Sequence, residues 1–518
     1  MKKIHVMAWP KLCSMLLLGA SAMFMASCAQ DGFDNNEAFY GTITSGDQLV
    51  SPDGGTFKVK SSADRSTQTI SWNAATGALD YKVWIYKSDA VIDDANPGEV
   101  MVSDSLVHNP YVTVPRVRNT YYRIEVMSAE NKAENNPGAD TKTEYKWDTF
   151  LIEISVSNAE EYGGGDFYKF LKTKDVDGDD VITAAIKKND NKVCPIYFFF
   201  KSDVSYNMSD VVDFGGYEVT LAAENEQVKP TIRMDVNACF VTYNTFVLEN
   251  LKFDFEGCSN DFITLNKTPD AALLGATGGG SFYNIQSLIS INNCEINKLK
   301  GSIIYDNNIK YCLETFSIDN CIFNFEIPTK GSGNGYIYMK GGFIKDLVIT
   351  NSTFWNNGDD NHQYFIKYSN GGCAKDAGYG TETSQTATMD NNTFYNIAHG
   401  HWANWDGFMG GKKTQTEILA HKNIWQNCSL NQGGIIKRML KQQDPSTNNF
   451  KKIEFGFNTY WAEGKLEAAA TEIDKYDKSN TYIKTDPQLK NPAAGDFTVQ
   501  GEEQLKEKTG DPRWLPAN

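Results

Sequence analysis

One short pattern recurs along the second half of the chain: an apolar residue, a polar run rich in asparagine, a short apolar strand, and a closing polar residue. Five copies are clear, at Ile291–Asn297, Ile318–Asn324, Ile349–Asn356, Met389–Asn396 and Ala420–Asn427. Weaker copies stand at Val247–Phe253 and Phe457–Trp461. From Ile296 the apolar centre steps to Phe323, Phe354, Phe394 and Trp425, at intervals of 27, 31, 40 and 31 residues. A constant strand at variable spacing is what stacked coils produce, because extra residues go into outside loops while the strand keeps its place. Asparagine suits the bend, since it tolerates left-handed backbone and its amide can bond to the asparagine stacked above it. The pattern predicts a right-handed parallel β-helix over residues 151–518. Cys294 and Cys321 hold the same place in two copies, which predicts buried stacking rather than a bridge.

A different rhythm runs from residue 48 to 150. Thr69–Asn73, Asp80–Tyr86, Tyr111–Val114 and Tyr121–Val126 alternate apolar and polar residues and are separated by Gly, Asn, Asp and Pro clusters. This predicts a small antiparallel β-sandwich. The fold class is therefore all-β, a sandwich followed by a β-helix. The Trp72, Tyr81 and Tyr122-x-Ile124-x-Val126 strands resemble a fibronectin type III domain. That resemblance implies a spacer; the alternative role is a carbohydrate-binding module.

The N-terminus has a third pattern. Lys2 and Lys3 precede an apolar stretch from Met15 to Met25, then Ala26-Ser27-Cys28. A secretory signal has this layout, and the apolar run is too short for a comfortable membrane span. The small residues before the cysteine resemble a lipobox. This implies a signal peptide over 1–27, a lipid on Cys28, and a polar tether over 28–47. Acidic residues after the cysteine, Asp31, Asp34 and Glu37, resemble an export cue of surface lipoproteins. The expected location is the outer membrane, lipid-anchored and facing the exterior.

Charge narrows the partners. The 518 residues carry a net charge of −16. Removing residues 1–27 takes three lysines and no acid, so the mature chain stands at about −19. Nucleic acid is excluded as a partner on electrostatic grounds. An anionic polysaccharide would need a local basic patch. Aromatic residues make up 12% of the chain, which suits β-structure or sugar stacking. No CxxC pair, no P-loop and no G-x-S-x-G elbow stands out.

The Asn-x-x-Phe coils resemble the pectate-lyase-like superfamily. The opening Asp177-Gly178-Asp179-Asp180-Val181-Ile182 with Gly215-Gly216-Tyr217 resembles its first coil, where a Gly-Asp turn precedes a strand. The closing segments Thr485–Leu489, Asn491–Val499 and Gly510–Trp514 resemble the end of uncharacterised β-helix lipoproteins of glycan-utilisation systems. The partners implied are extracellular polysaccharide and, through the lipid, a membrane. Lyases of that superfamily use a base and a neutraliser of the uronate carboxylate, often calcium held by Asp and Glu, which makes calcium the candidate cofactor.

Three places offer candidate chemistry. The first is His399-Gly400-His401-Trp402-Ala403-Asn404-Trp405-Asp406. Its histidines suit acid–base work, and Trp402 and Trp405, with Asp406, suit sugar contact; the bland alternative is a loop packed on its own wall. The second is two basic pairs, Lys412-Lys413 for substrate contact and Lys437-Arg438 for catalysis. The third is Asp359-Asp360 with His362, which lacks a full calcium spacing. Asp175–Asp180 also lacks one, having no Gly at its sixth place and no Glu at its twelfth. Three functions stay open: a surface protein that binds or processes polysaccharide, a uronate lyase, and a structural surface protein or adhesin.

Overall fold

The computed structural model describes residues 49–516, apart from 62–65, 130–138, 140, 157–164, 190, 192, 203, 226, 276–280, 329–333, 370–384, 399, 406–414, 429–434, 441–449 and 464–472. The chain divides into two compact units between Thr149 and Phe150.

The first unit is the antiparallel sandwich. One sheet has three strands, Lys58–Ser61, Thr67–Ser71 and Tyr111–Pro115. The other has four, Glu99–Val107, Asp80–Ser88, Tyr121–Ala129 and Thr143–Asp148. Buried positions alternate along Thr67–Ser71 and Tyr121–Ala129, the two-residue period of a half-buried strand. Ile70, Trp72, Val83, Ile85, Ile124 and Val126 fill the core. The Tyr122 ring is buried among them, and its hydroxyl accepts the Val117 N–H at 2.8 Å.

The second unit is a parallel β-helix with three walls. Among the described residues these are sheets of ten, nine and seven strands. Successive strands visit the first, second and third wall in turn, and each pairs in parallel with its counterpart in the next coil. On the first wall the inward row runs Phe198, Leu221, Leu248, Ile291, Ile318, Ile349, Met389 and Ala420. On the second wall it runs Phe253, Ile296, Phe323, Phe354, Phe394, Trp425 and Tyr460. This second row is the repeat read from the sequence. Its rings stack face to face, at 5.1 Å from Phe323 to Phe354 and 5.3 Å from Trp425 to Tyr460.

From the third coil onward the backbone turns through a left-handed residue between the first and second walls. Asn250, Asn293, Asn320, Asn351 and Asn391 have φ of 48–58°, as do Lys422 and Phe457 in the last two coils. At such a bend the following N–H points away from the ladder. The next coil's side chain accepts it instead. The Cys321 N–H donates to Ser352 Oγ at 2.9 Å, Ser352 to Asn392 Oδ1 at 3.0 Å, Asn392 to Asn423 Oδ1 at 3.1 Å, and Asn423 to Asn458 Oδ1 at 3.0 Å. The amides also bond to each other, Asn392 to Asn423 at 2.9 Å and Asn423 to Asn458 at 3.0 Å. Cys294 and Cys321 belong to the same buried row. They are stacked and unbridged, with the Cys294 N–H on the Cys321 sulfur at 3.4 Å.

Both ends of the stack are covered. Helix Phe167–Lys172 sets Phe167 against Phe198, Phe200 and Phe214 of the first coil. Asp180 caps helix Val181–Lys188 by accepting the Thr183 N–H. The Gly-Asp turn thus opens a helix where the sequence led to the expectation of a strand. Asp175 closes that turn by accepting the Asp177 and Asp179 N–H groups at 2.9 Å. At the far end the Tyr460 hydroxyl donates to Asp477 at 3.0 Å. The C-terminal segment then runs back over the outside of the second wall. Trp355, Ile424, Leu489, Phe497 and Val499 form a separate apolar cluster there. Asp511 receives the Thr353 hydroxyl at 2.7 Å, and Trp514 donates its indole N–H to the same hydroxyl at 2.8 Å. Among the described residues no helix is long and apolar enough to cross a membrane.

Two stability predictions follow from this packing. Asn423→Ala removes the acceptor for the buried Asn392 N–H and both amide bonds of that rung. The expected loss is about 2–4 kcal/mol by denaturant unfolding, the usual cost of orphaning buried polar groups. His421 lies on the outside of the first wall, with Nδ1 2.9 Å from Asp390 and Nε2 3.4 Å from Glu454. Its hydrogen bond to Asp390 raises its pKa. A base raised on folding contributes stability in full below its unfolded pKa of about 6.5, and that contribution fades as pH rises through the folded value. The melting-temperature gap between wild type and His421→Gln is therefore expected to be larger at pH 5.5 than at pH 9; an equal gap would refute the assignment.

Candidate functional site: the outer face of the third wall

The third wall is built from Val211–Asp213, Cys239–Thr242, Ile263–Leu265, Ile304–Tyr305, Gly335–Met339, Tyr364–Tyr368 and His401–Asn404. Its inward row is Val212, Phe240, Ile263, Ile304, Ile337, Ile366 and Ala403. One residue further along each strand the side chain turns outward. That outer row reads Asp213, Val241, Thr264, Tyr305, Tyr338, Lys367 and Asn404. Tyr305 and Tyr338 stack at 5.2 Å. The Lys367 ammonium lies 5.4 Å from the Tyr338 ring and 5.0 Å from the Tyr364 ring, within cation–π range. Burial, and then the charge of Lys340, lower the Lys367 pKa.

A buried carboxylate holds this row in place. Asp306 follows Tyr305 and accepts four backbone N–H groups. Oδ1 takes those of Asn308 at 3.0 Å and Lys340 at 2.9 Å; Oδ2 takes those of Gly341 at 2.8 Å and Gly342 at 2.7 Å. Burial pushes its carboxyl up to about 6 against the pull of those donors. The donors come close because Gly341 and Gly342 carry no side chain. A Cβ at either position would run into the carbonyl of Ile309 or Tyr311.

At the N-terminal end of the same face lies a cleft of about 470 Å³. Its floor includes Val211 and Val241, and its rim includes Asp213, Asp261, Asn266 and Lys267. The rim is pre-formed. The Asn266 amide donates to Asp213 at 2.8 Å, Asn307 to the Leu265 carbonyl at 2.6 Å, and Asp261 accepts the Ser302 N–H at 2.6 Å.

The residues singled out from the sequence fall in several places. Trp402 and Trp405 are 0% and 1% exposed, which corrects their expected role as sugar platforms. Trp402 continues an inward aromatic row after Tyr336 and Phe365, stacking on Phe365 at 4.4 Å and meeting Phe394 edge-on at 4.7 Å. Trp405 donates its indole N–H to the Met439 carbonyl at 2.9 Å, which ties helix Ile435–Met439 to this wall. Of the four catalytic candidates, the fold brings His401 near Arg438. Burial and then the Arg438 charge lower the His401 pKa. His401 is only 7% exposed. Lys437 and Arg438 are half-buried on the helix that packs over the last strand of this wall. Cys28, His399, Asp406, Lys412 and Lys413 lie outside the described residues. His362 is buried against Tyr336, and burial pulls its pKa down to about 4, so it does not join Asp359 and Asp360 as an accessible cluster. Among the described residues no group of three or more His, Cys, Asp or Glu side chains is placed to hold a metal ion.

The outer tyrosine row and the cleft were missed in the sequence. The gap from each second-wall core residue to its third-wall partner runs from six residues (Tyr206 to Val212) to fourteen (Phe323 to Ile337), so no fixed period marks the third strand. The pairs Ile304-Tyr305 and Ile337-Tyr338 were the available signal.

Three segments match family models. All three are domains of unknown function. Residues 1–171 match one such domain, which takes in the sandwich and all but the last residue of helix Phe167–Lys172. Residues 204–357 match Domain of unknown function (DUF4957) and residues 387–514 match Domain of unknown function (DUF5123), which divide most of the β-helix between them. The chain is thus similar to uncharacterised families along most of its length. No curated protein and no solved structure matches it.

Trp402→Ala is expected to cost about 3–5 kcal/mol of stability, the range for deleting a large core aromatic. Tyr338→Ala, on the outer row, is expected to cost markedly less in the same unfolding measurement. Equal losses would mean that the tyrosine row is as much a part of the core as the indole.

Proposed function

We propose that the protein is a surface lipoprotein, anchored in the outer membrane through Cys28 and facing the exterior, that binds extracellular polysaccharide along the outer face of the third wall. The observation that carries this reading is the outward row Thr264, Tyr305, Tyr338, Lys367 and Asn404, which continues from a pre-formed cleft. Aromatic edges, hydroxyls, amides and a lysine along one straight face offer an elongated ligand both apolar contact and hydrogen bonds. The other outer faces favour this choice. The later coils of the second wall are covered by the C-terminal segment, and the polar rows of the first wall bond within themselves, as in Thr350 to Asp319 and His421 to Asp390. In this reading the sandwich, fibronectin type III-like in its strand pattern, is the spacer between anchor and binding face.

A second reading has one observation in its favour. A histidine whose pKa is lowered, near an arginine, is a base beside a carboxylate neutraliser, which suits a pectate-lyase-like enzyme acting on uronic-acid glycans. The near-complete burial of His401 weighs against it, and binding without cleavage is preferred.

The test is electrophoresis of the full-length chain in detergent through native gels loaded with neutral or uronic-acid polysaccharides, with calcium present. Wild type is expected to be retarded in at least one gel, and Tyr338→Ala less so. Absence of retardation in every gel would refute binding. Ultraviolet-absorbing unsaturated products, abolished in Arg438→Ala, would establish the lyase instead.

A further inference from the structure

The cleft at the N-terminal end of the third wall differs in chemistry from the tyrosine row beside it. Its apolar lining is Val211 and Val241 with the buried Cys239, and Val211 is one of the exposed large apolar residues among those described, at 41%. On the neighbouring strand Cys239 is the register partner of Val211, and Val241, two residues further along, occupies the outer row between Asp213 and Thr264. The charged groups around the floor are two carboxylates, Asp213 and Asp261, and one ammonium, Lys267. The remaining polar lining is hydroxyl and amide: Ser259, Thr264, Asn260, Asn266 and Asn307. None of the residues singled out from the sequence lies here.

We infer that this cleft is a subsite for neutral, hydroxyl-rich sugar residues, held with their C–H faces on Val211 and Val241 and their hydroxyls on the Asp213 and Asp261 rims. The inference rests on the reading that the third wall binds glycan, and it names the class of glycan. A sugar ring has an apolar face and an equatorial girdle of donors. Carboxylates and side-chain amides are the acceptors that neutral hydroxyls pair with most strongly. A uronate would bring its own carboxylate against two others, with one lysine to offset them, in a chain whose net charge is −16. The rim is already fixed by its own bonds, from Asn266 to Asp213, from Asn307 to the Leu265 carbonyl, and from the Ser302 N–H to Asp261. Little ordering is therefore left to oppose binding. The volume of about 470 Å³ falls within the range of small-ligand sites, enough for a short run of residues from a longer chain. Because Thr264 and Tyr305 are register partners, such a chain would continue from the cleft onto the tyrosine row.

The experiment is calorimetric titration of the full-length chain in detergent with two sets of oligosaccharides, neutral and uronic-acid. It compares wild type with Val241→Trp, which fills the cleft from an outward strand position, and with Asp213→Asn, which removes a rim charge while keeping its shape. Neutral oligosaccharides are expected to bind, and Val241→Trp to weaken them by about tenfold or more. Asp213→Asn should weaken them less and should not create uronate binding on its own. Neutral binding that Val241→Trp leaves unchanged would overturn the cleft as the subsite. Uronate binding that Val241→Trp abolishes, with no neutral binding, would overturn the sugar class while leaving the glycan-binding reading intact. Binding of neither set would overturn the glycan-binding reading, and the subsite with it. Thermal unfolding of Val241→Trp, expected within a few degrees of wild type, separates loss of the site from loss of the fold.

Discussion

The β-helix depends on how its chain solves one problem at the corner between its first and second walls. Parallel strands satisfy their backbone groups in the coils above and below only while the backbone stays extended. When it passes through a left-handed residue between the first and second walls, the next N–H is buried with no carbonyl to meet it. The following coil supplies a side-chain acceptor, Ser352 for Cys321, Asn392 for Ser352, Asn423 for Asn392 and Asn458 for Asn423. Because the bond joins one coil's backbone to the next coil's side chain, it sets the coils in register. Everything stacked on that register, from the Phe323–Tyr460 ring column to the outer tyrosines, inherits its alignment from this row.

Register then decides which faces are open to a partner. On the second wall, Trp355 and Tyr395 face outward and would be an exposed apolar patch. The returning C-terminal segment buries them under Phe497 and Trp514. Asp511 and Arg513 fasten that segment, with Arg513 also reaching Asn320. The closing Gly-Asp-Pro-Arg-Trp segment is thus a strap on the outside of the coils. On the third wall, Asp306 and the two glycines beside its turn hold Tyr305 and Tyr338 in a straight row.

The indoles show how composition misleads when register is missing. Trp402 and Trp405, close to two histidines, have the residue types of a sugar-binding loop. Their strand instead carries Trp402 into the interior, where Phe365 and Phe394 pack on it. On the strand before it, Phe365 and Ile366 are buried and Lys367 is the residue that reaches the outer row. Among the basic residues, Arg438 came near His401 only because a five-residue helix takes the place of another third-wall strand.

What the sequence determined by itself was the repeat and its consequences. The Asn-rich bends, the apolar column from Ile296 to Trp425, the unbridged stacking of Cys294 and Cys321, and the alternating strands of the sandwich are local patterns, and each is set by backbone preference and periodicity. What only the tertiary structure decided was the third wall: its outward tyrosines, its cleft, and the burial of both candidate indoles. The strand-to-strand spacing that places those residues varies from coil to coil, so a single residue of offset exchanges inside for outside. Only the hydrogen-bonded register between coils, closed over many residues at once, removes that ambiguity.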